Sequence, residues 1–376
     1  MYVNLAVLHE TLPDERRVAL VPEITSRLTK LGARLHMEPG AGDASSFPDS
    51  AYKDVVFIKD RAQLVAAADV VMAVQPPGAE LVAAMQPGSI LICFVYAEHQ
   101  AAMIAKLLEK KITCFAMERI PRISRAQSMD ALSSQSALAG YYSVELGATH
   151  LTRVLPKITT AAGAIGPAHV LVMGLGVAGL EAVATAQRLG AAVEGYDIRP
   201  DTKDQVLSLG GTFVDTGVDA TGTGGYAREL TAEEKVKVAS VLTKHIQESD
   251  LIITTAAIPG KPSPKMISSA QVKGMKTGSV IVDLSAEGGG NCEDTQPGKT
   301  TRVGPATIVA PLNVPSLLAE DASTLLAKNQ YNLLKLMLKD NIITIDWTDE
   351  VIAKTALTHD GKVIIPPAKA APTKAA

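Results

Sequence analysis

The chain has 376 residues, a formal net charge of -3 at pH 7, and a hydrophobic content of 47% with 4% aromatic residues. This length allows two domains with separate cores, and the composition is typical of an α/β protein with parallel strands. The charge excludes a strongly basic nucleic-acid surface. No apolar run reaches the ~18 residues of a membrane span, and the N-terminus lacks a signal peptide's basic region, so we expect a soluble polypeptide.

The sequence carries no metal or hydrolase signature. Cys93, Cys114 and Cys292 are scattered without a C-x-x-C pair, and the seven histidines have no ligand spacing. A G-x-S-x-G nucleophile elbow is also missing from the sequence. We therefore expect reduced, mostly buried thiols in a cytosolic protein, and no metal site.

The first 120 residues alternate between strand and helix patterns. The predicted strands are residues 3–8, 34–38, 70–74, 90–94 and 112–116, with helices at about 23–31 and 100–110. The alternation predicts a doubly wound α/β unit, and this unit has no glycine-rich phosphate loop. A polar segment, residues 118–136, then precedes a predicted connecting helix at 137–152. The segment is either a solvated loop or the wall of a cleft between two domains, where ligands commonly bind.

A glycine-rich turn follows the predicted strand 170–173 and opens a helix to about residue 189. Gly174, Gly176 and Gly179 supply the G-x-G-x-x-G spacing. The first glycine allows the tight turn, the second lets the backbone approach a pyrophosphate, and the third lets helix and sheet pack closely. Free N–H groups and the helix dipole then favour phosphate binding at the helix start. This pattern predicts a dinucleotide site.

Asp197 ends the next predicted strand, about 20 residues beyond the glycines, where a carboxylate can bind the adenosine ribose. A 2′-phosphate there would meet like charge, so Asp197 favours NAD over NADP. Arg199 is the feature that argues for NADP. The competing interpretation, a glycine turn in an ordinary α/β core, leaves Asp197 unexplained.

The remaining elements complete the second unit. A polar segment at 215–234 contains the glycine-rich residues 221–226, which we expect to form a mobile lid. The buried strand that begins at residue 250 should end facing the nucleotide, and another strand ends at Asp283. A helical region at 313–339 and strands at 342–346 and 363–365 should return to the first unit, before a disordered tail at 366–376. The prediction is thus two Rossmann-like doubly wound domains separated by a cleft, residues 1–132 plus 322–376 and residues 133–321.

With NAD bound, the hydride chemistry belongs to the nicotinamide, and the protein orients it. Arg122, Gln127, Asp130 and Ser133 in the polar segment are candidates for the nicotinamide end. Arginine can pair with a phosphate or carboxylate, glutamine can bind the carboxamide, and Asp130 can hold the ribose or anchor Arg122. Asp130 can equally be the N-cap of the following helix.

Five motifs resemble the NAD(H)-binding component (domain I, alpha-1 subunit) of proton-translocating NAD(P) transhydrogenase. They are residues 17–23 (RVALVPE), 121–135 (PRISRAQSMDALSSQ), 174–179 (GLGVAG), 258–262 (IPGKP) and 283–291 (DLSAEGGGN). The resemblance covers nearly the whole chain. It implies that the polar segment positions the nicotinamide and its ribose through Arg122, Gln127, Asp130 and Ser133.

The resemblance also implies nucleotide contacts in the second unit. These contacts are Gly174, Gly176, Val177, Ala178, Gly179, Asp197, Ile198, Arg199, Gly225, Tyr226 and Ala257. Tyr226 would belong to the mobile loop that closes over bound nucleotide. A glutamine that touches the nucleotide in some relatives is Val238 here, which departs from the pattern.

The sequence is also similar to alanine dehydrogenase, which has the same fold. That family binds its substrate with a lysine and uses a catalytic histidine, and the matching positions here are Gln75 and Tyr96. Neither residue can do the original task near neutral pH. Arg17 matches the arginine that binds the substrate carboxylate, but an ion pair with Glu10 or Asp14 is the preferred interpretation of Arg17.

The resemblance therefore implies an enzyme subunit that binds NAD(H) and exchanges a hydride directly with NADP(H) on a partner component. A membrane component would couple the reaction to proton translocation. It further implies a homodimer at the cytoplasmic face of the inner membrane. The alternatives are an alanine-dehydrogenase-like amino-acid dehydrogenase and a non-catalytic NAD sensor.

Overall fold

The computed structural model describes residues 2–220, 228, 230–257 and 261–364. Gly225, Tyr226 and the 366–376 tail lie outside these residues, so the expected lid and the disordered tail stay predictions. The described chain divides into two compact units, residues 2–135 with 315–364 and residues 136–314.

Strands and helices alternate through most of the chain. The strands are β1 (Val3–Val7), β2 (Ala33–Met37), β3 (Val55–Phe57), β4 (Val70–Met72), β5 (Ile90–Cys93), β6 (Thr113–Ala116), β7 (Ile158–Thr160), β8 (Gly163–Ile165), β9 (His169–Met173), β10 (Ala192–Tyr196), β11 (Thr212–Phe213), β12 (Leu251–Thr254), β13 (Val280–Asp283), β14 (Thr300–Val303), β15 (Ala306–Val309), β16 (Leu338–Lys339), β17 (Ile342–Ile343), β18 (Ala356–His359) and β19 (Lys362–Val363). The α-helices are α1 (Pro22–Lys30), α2 (Arg61–Ala66), α3 (Ala79–Ala84), α4 (Ala101–Glu109), α5 (Ala131–His150), α6 (Val177–Arg188), α7 (Lys203–Ser208), α8 (Ala232–Glu248), α9 (Ser269–Lys273), α10 (Val314–Leu317), α11 (Ala319–Met337) and α12 (Glu350–Thr355).

The described residues of the first unit form an eight-stranded sheet in the order β3-β2-β1-β4-β5-β6-β18-β19. The first six strands are parallel, while β18 and β19 pair antiparallel. Alternate β1 side chains enter cores on opposite faces, with Leu5 and Val7 on one face and Ala6 on the other. A parallel sheet buried on both faces explains the apolar strand sequences.

The second unit repeats this topology, since its described strands run β11-β10-β9-β12-β13-β15-β14. The strands β11 to β15 in that order are parallel, and β14 pairs antiparallel with β15 at the edge. Val172 and Met173 of β9 enter cores on opposite faces. Both sheets therefore have the 3-2-1-4-5-6 order of the doubly wound fold. The predicted α/β class with Rossmann-like sheets is confirmed.

Some elements differ from the sequence-based prediction. Helix α5 begins at Ala131 instead of residue 137, because Asp130 caps it and the serines of its first turns are helical. The hairpin β7–β8 and the strands β14 and β18 have no counterpart in the prediction. These strands are short and lie at sheet edges or on the surface, where the hydrophobic pattern is weak.

Candidate nucleotide-binding site

The glycine turn joins β9 to α6 with little space to spare. Gly174 has a φ of 96°, a backbone conformation that disfavours a side chain, and its N–H donates to the Tyr196 carbonyl at 2.8 Å. A Cβ on Gly179 would stand 1.8 Å from the Gly174 carbonyl oxygen. Only glycine at position 179 therefore allows the helix to pack this closely on the turn.

Gly176 differs from the other two glycines, because the space beside it is open. No described heavy atom lies within 4 Å of the position that its Cβ would occupy. Helix α6 starts directly after Gly176, which offers no side-chain cap, and Val177 is 45% exposed. The helix N-terminus thus presents backbone N–H groups and the positive dipole end to an accessible space that fits a pyrophosphate.

The Asp197 carboxylate is fixed at the end of β10. Its Oδ2 accepts the Leu175 N–H at 2.8 Å, and its Oδ1 accepts the Arg199 backbone N–H at 2.9 Å. The Arg199 guanidinium also donates to Oδ1 at 3.0 Å and to Oδ2 at 2.9 Å. Arg199 is therefore an ion-pair partner of Asp197, which weakens the sequence argument that it selects for NADP.

Strand β12 lies next to β9, so its carboxyl end flanks the glycine turn. Thr255 Oγ1 donates to the Gly174 carbonyl at 2.8 Å, and Ala257 is exposed at this edge. The strand order reverses between β9 and β12, and dinucleotides bind in the crevice at such a reversal. Val238, by contrast, is buried in a core cluster, so it cannot supply the nucleotide contact of a glutamine.

The polar segment of the first unit is held firmly against its own helices. Arg125 forms two hydrogen bonds with Asp349 at 2.9 and 2.5 Å, and the Asn329 amide donates to the Ser128 carbonyl at 3.0 Å. These contacts anchor a 3₁₀ segment, Ser124–Met129. A firmly anchored backbone gives its exposed side chains a defined position.

Two of the four predicted nicotinamide residues, Arg122 and Gln127, have exposed side chains on this anchored segment. The other two bind each other: Asp130 accepts the Ser133 N–H at 2.9 Å and the Ser133 hydroxyl at 2.5 Å. Asp130 is therefore the N-cap of α5, one of the two interpretations that the sequence left open. This structural role does not conflict with a contact to the nucleotide ribose, which stays a prediction.

A charge cluster fills the equivalent crevice of the first unit, beside the carboxyl ends of β1 and β4. Arg17 pairs with Glu15 at 2.6 Å, with side chains that are 5% and 1% exposed. Gln75 Nε2 donates to the same carboxylate at 2.7 Å, and Arg17 also donates to Gln135 Oε1 at 2.9 Å. The ion-pair partner Glu15 is one that the sequence analysis did not name, and it engages both Arg17 and Gln75.

Two glutamates in this crevice have opposite pKa shifts. Burial raises the pKa of Glu10 to about 7, although its carboxylate accepts the backbone N–H groups of Val74 and Gln75 at 2.6 and 3.2 Å. Burial would also raise the pKa of Glu15, but the hydrogen bonds and charge of Arg17 outweigh it and lower the pKa to about 2. The cluster therefore contains an internal carboxylate anion that already neutralises Arg17.

Tyr96 stands at the position of the alanine dehydrogenase histidine, with a φ of 48° and 44% exposure. Its ring stacks on Phe94 with centroids 5.8 Å apart. The Tyr96 backbone N–H donates to Glu118 at 2.8 Å. The ring is thus accessible, but a phenol offers no base near neutral pH.

Other site types find no support in the described residues. No group of three or more His, Cys, Asp or Glu side chains there is arranged to hold a metal ion. Within the same residues, no helix has the length and apolarity needed to cross a membrane. Cys93, Cys114 and Cys292 are free and buried.

Local sequence reasoning missed the residues that support the site. Asn291 and Thr255 contact the strand end and the glycine turn, and Glu15 closes the crevice of the first unit. The motif around Asp283 was the one signal that pointed to Asn291. Of the predicted contacts, Gly225 and Tyr226 lie outside the described residues.

A parallel 3-2-1-4-5-6 sheet, with a glycine turn at the start of a helix and an aspartate after the second strand, defines a Rossmann-like pyridine-nucleotide-binding protein. Two family models match the chain, the Alanine dehydrogenase/PNT N-terminal domain over residues 6–139 and the C-terminal domain over residues 143–366. The chain belongs to the Alanine dehydrogenase/PNT family.

Similar proteins of known name or structure agree with this assignment. The first segment of the NAD(P) transhydrogenase alpha subunit of Rhodospirillum rubrum, a separate chain there, is 44% identical over 377 residues, which cover 97% of this chain and 98% of the relative. The crystal structure of a transhydrogenase from Sinorhizobium meliloti matches with a TM-score of 0.86 and 40% identity, covering 96% of this chain and 99% of the other. An L-alanine dehydrogenase structure matches in fold, with a TM-score of 0.77, 22% identity and 97% coverage of both chains. The resemblance inferred from the motifs is confirmed.

Proposed function

We propose that this chain is the NAD(H)-binding subunit of a proton-translocating NAD(P)+ transhydrogenase, and that it exchanges a hydride directly with NADP(H) on a partner component. The observation that carries the proposal is the open space at Gly176 beside the fixed Asp197 carboxylate, in a chain 44% identical to a transhydrogenase alpha subunit. The open helix start would bind the pyrophosphate, and Asp197 would bind the adenosine ribose.

The nicotinamide supplies the hydride chemistry when NAD(H) is bound, and the residues of this chain bind and orient the nucleotide. Gln127 would hold the carboxamide and Arg122 a phosphate oxygen, both from the anchored Ser124–Met129 region. Direct transfer needs the two reacting carbons about 3.5 Å apart, so orientation supplies most of the rate enhancement. No acid or base is needed for the transfer itself.

The first unit argues against amino-acid oxidation. Arg17, the residue that would bind a substrate carboxylate, is already paired with Glu15, and Gln75 donates to the same carboxylate. A second carboxylate entering this crevice would meet the Glu15 anion. The alanine dehydrogenase alternative therefore lacks an available carboxylate site.

The proposed partners are a component that holds NADP(H), a membrane component that couples hydride transfer to proton translocation, and a second copy of this chain. The subunit would lie at the cytoplasmic face of the inner membrane. The hairpin β7–β8 supports the homodimer, since it is exposed along its length and carries Ile158 and Ile165 at 36% and 52% exposure. An exposed hairpin with apolar side chains is suited to protein–protein contact.

Reconstitution tests the proposal. NADH-dependent reduction of an NADP+ analogue is measured with this chain alone and after adding a purified transhydrogenase NADP-binding component. We expect turnover only in the mixture. Turnover with pyruvate and ammonia would instead indicate an amino-acid dehydrogenase, and NADH binding with no turnover in either assay would indicate a sensor.

Substitutions at the polar segment separate its two roles. Asp130→Asn retains a side-chain oxygen that can cap α5, whereas Asp130→Ala removes the cap, which stabilises by about 1 kcal/mol. We expect Asp130→Asn and Gln127→Asn to slow hydride transfer far more than they weaken NADH binding. A loss of binding that matches the loss of rate would assign these residues as anchors.

A further inference from the structure

One buried amide joins the loops that follow β12 and β13. Asn291 is fully buried, and its Oδ1 accepts the Ala256 N–H at 3.0 Å. Its Nδ2 donates to the carbonyls of Ala256 and Pro264, both at 2.8 Å. A single side chain therefore binds both main-chain polar groups of Ala256.

The position of Asn291 is itself fixed by Asp283 at the end of β13. The buried Asp283 Oδ2 accepts the N–H groups of Asn291 at 2.7 Å and Cys292 at 3.2 Å, and the Thr295 hydroxyl at 2.6 Å. Its Oδ1 accepts the Ser285 N–H at 3.0 Å. Because all four donors belong to one loop, the carboxylate holds that loop, and Asn291 with it, against the sheet.

The backbone that Asn291 holds lies directly against the glycine turn. A Cβ on Gly174 would stand 2.9 Å from the Ala256 nitrogen, and Thr255 binds the Gly174 carbonyl through its hydroxyl. The contacts thus run from Asp283 through Asn291 and Ala256 to the turn. Their end point is the reversal of strand order, where the nucleotide would bind.

We propose that Asn291 is a positioning residue for NAD(H) binding, an inference that rests on the proposed nucleotide site. Without its side chain, the Ala256 N–H and the Pro264 carbonyl lose their amide partner. Buried polar groups without partners are costly, so this backbone has to rotate toward water. Rotation of Ala256 displaces it from Gly174 and distorts the nucleotide side of the turn.

The test compares NADH binding with stability in the full chain. Asn291→Ala is titrated with NADH by fluorescence and melted by circular dichroism, beside Asp250→Asn as the matched control. Asp250 is 5% exposed at the opposite, amino end of β12, where it accepts the His169 N–H at 2.8 Å and pairs with Arg153 at 3.0 Å. Both variants remove contacts of a buried polar side chain near the same strand, but only Asn291 borders the turn.

We expect Asn291→Ala to raise the Kd for NADH about tenfold, or about 1.4 kcal/mol, while Asp250→Asn lowers the melting temperature and leaves the Kd unchanged. In turnover with the NADP-binding component, the KM for NADH should rise more than kcat falls. A wild-type Kd in folded Asn291→Ala would overturn the inference. A wild-type chain that binds no NADH would instead refute the proposed function.

A second pair of variants decides the matter if Asn291→Ala does not fold. Thr255→Val removes the hydroxyl that binds the Gly174 carbonyl but keeps the side-chain shape, and Thr255→Ser restores a hydroxyl. We expect Thr255→Val to weaken NADH binding and Thr255→Ser to bind as the wild type does. Equal binding by both variants would show that the contact between β12 and the turn does not position the nucleotide.

Discussion

The buried Glu15 carboxylate offers the sharpest stability prediction. Its side chain is 1% exposed, and the pKa falls from 4.5 to about 2 in the folded protein. Each pKa unit corresponds to about 1.4 kcal/mol, so the ionised carboxylate stabilises the fold by about 3 kcal/mol at pH 7. Removing one partner of a buried ion pair costs a similar amount, about 3–5 kcal/mol. Because glutamine retains one acceptor for Arg17, we expect Glu15→Gln to cost about 2–3 kcal/mol.

The loss should depend on pH in a defined direction. The folded pKa of Glu15 lies below the unfolded value, so its contribution is complete above pH 4.5 and disappears as the pH falls toward about 2. The difference between wild type and Glu15→Gln should therefore be largest near neutral pH. Below pH 4.5 it should shrink steadily.

The assay is urea unfolding followed by the fluorescence of Trp347, the one tryptophan of the chain. Trp347 packs against the core of the first unit, so it reports on the unit that contains Glu15. Glu23→Gln is the control, because Glu23 is 48% exposed and pairs with Arg27 on the surface, where such pairs contribute about 0.5 kcal/mol. A Glu15→Gln effect within about 0.5 kcal/mol of the control, or equal at pH 3 and pH 7, would refute the reasoning.

Three further changes test other parts of the structure. Gly176→Ala should leave the melting temperature unchanged but weaken NADH binding, whereas Gly179→Ala should lower the melting temperature because its Cβ meets the Gly174 carbonyl; thermal melts and NADH titrations that failed to separate the two variants would contradict the geometry. Glu10 has a folded pKa of about 7, above its unfolded 4.5, so it stabilises most below pH 4.5 and its contribution is lost as the pH rises through 7. Glu10→Gln should remove this decline from the pH profile of unfolding, and an unchanged profile would assign it to other groups. Ile165→Lys should shift the proposed dimer to monomer in light scattering, and an unaltered mass would place the interface elsewhere.

The nucleotide turn was predictable because its determinants are local. Gly174, Gly176 and Gly179 lie within six residues, and Asp197 follows at a spacing fixed by one helix and one strand. The sheet class was predictable for the same reason, since strand and helix periods alternate in short segments. Features that depend on neighbouring residues are therefore visible in the sequence.

The supporting contacts were not predictable, because they join distant parts of the chain. Asn291 binds Ala256 across 35 positions, and Gln75 binds Glu15 across 60. The start of α5 was misjudged for another reason: serines near a helix start resemble a loop until the Asp130 cap is seen. Such contacts become visible only when the fold brings the residues together.

The central claim is direct hydride transfer from NADH on this chain to NADP+ on a partner component. The measurement is transfer of label from NADH deuterated at C4, with the product NADPH analysed by mass spectrometry after mixing this chain with the NADP-binding component. The account predicts that deuterium appears in NADPH without exchange with water, and that Gln127→Asn slows its appearance. NADPH that carries no deuterium, or no NADPH at all despite bound NADH, would contradict the account.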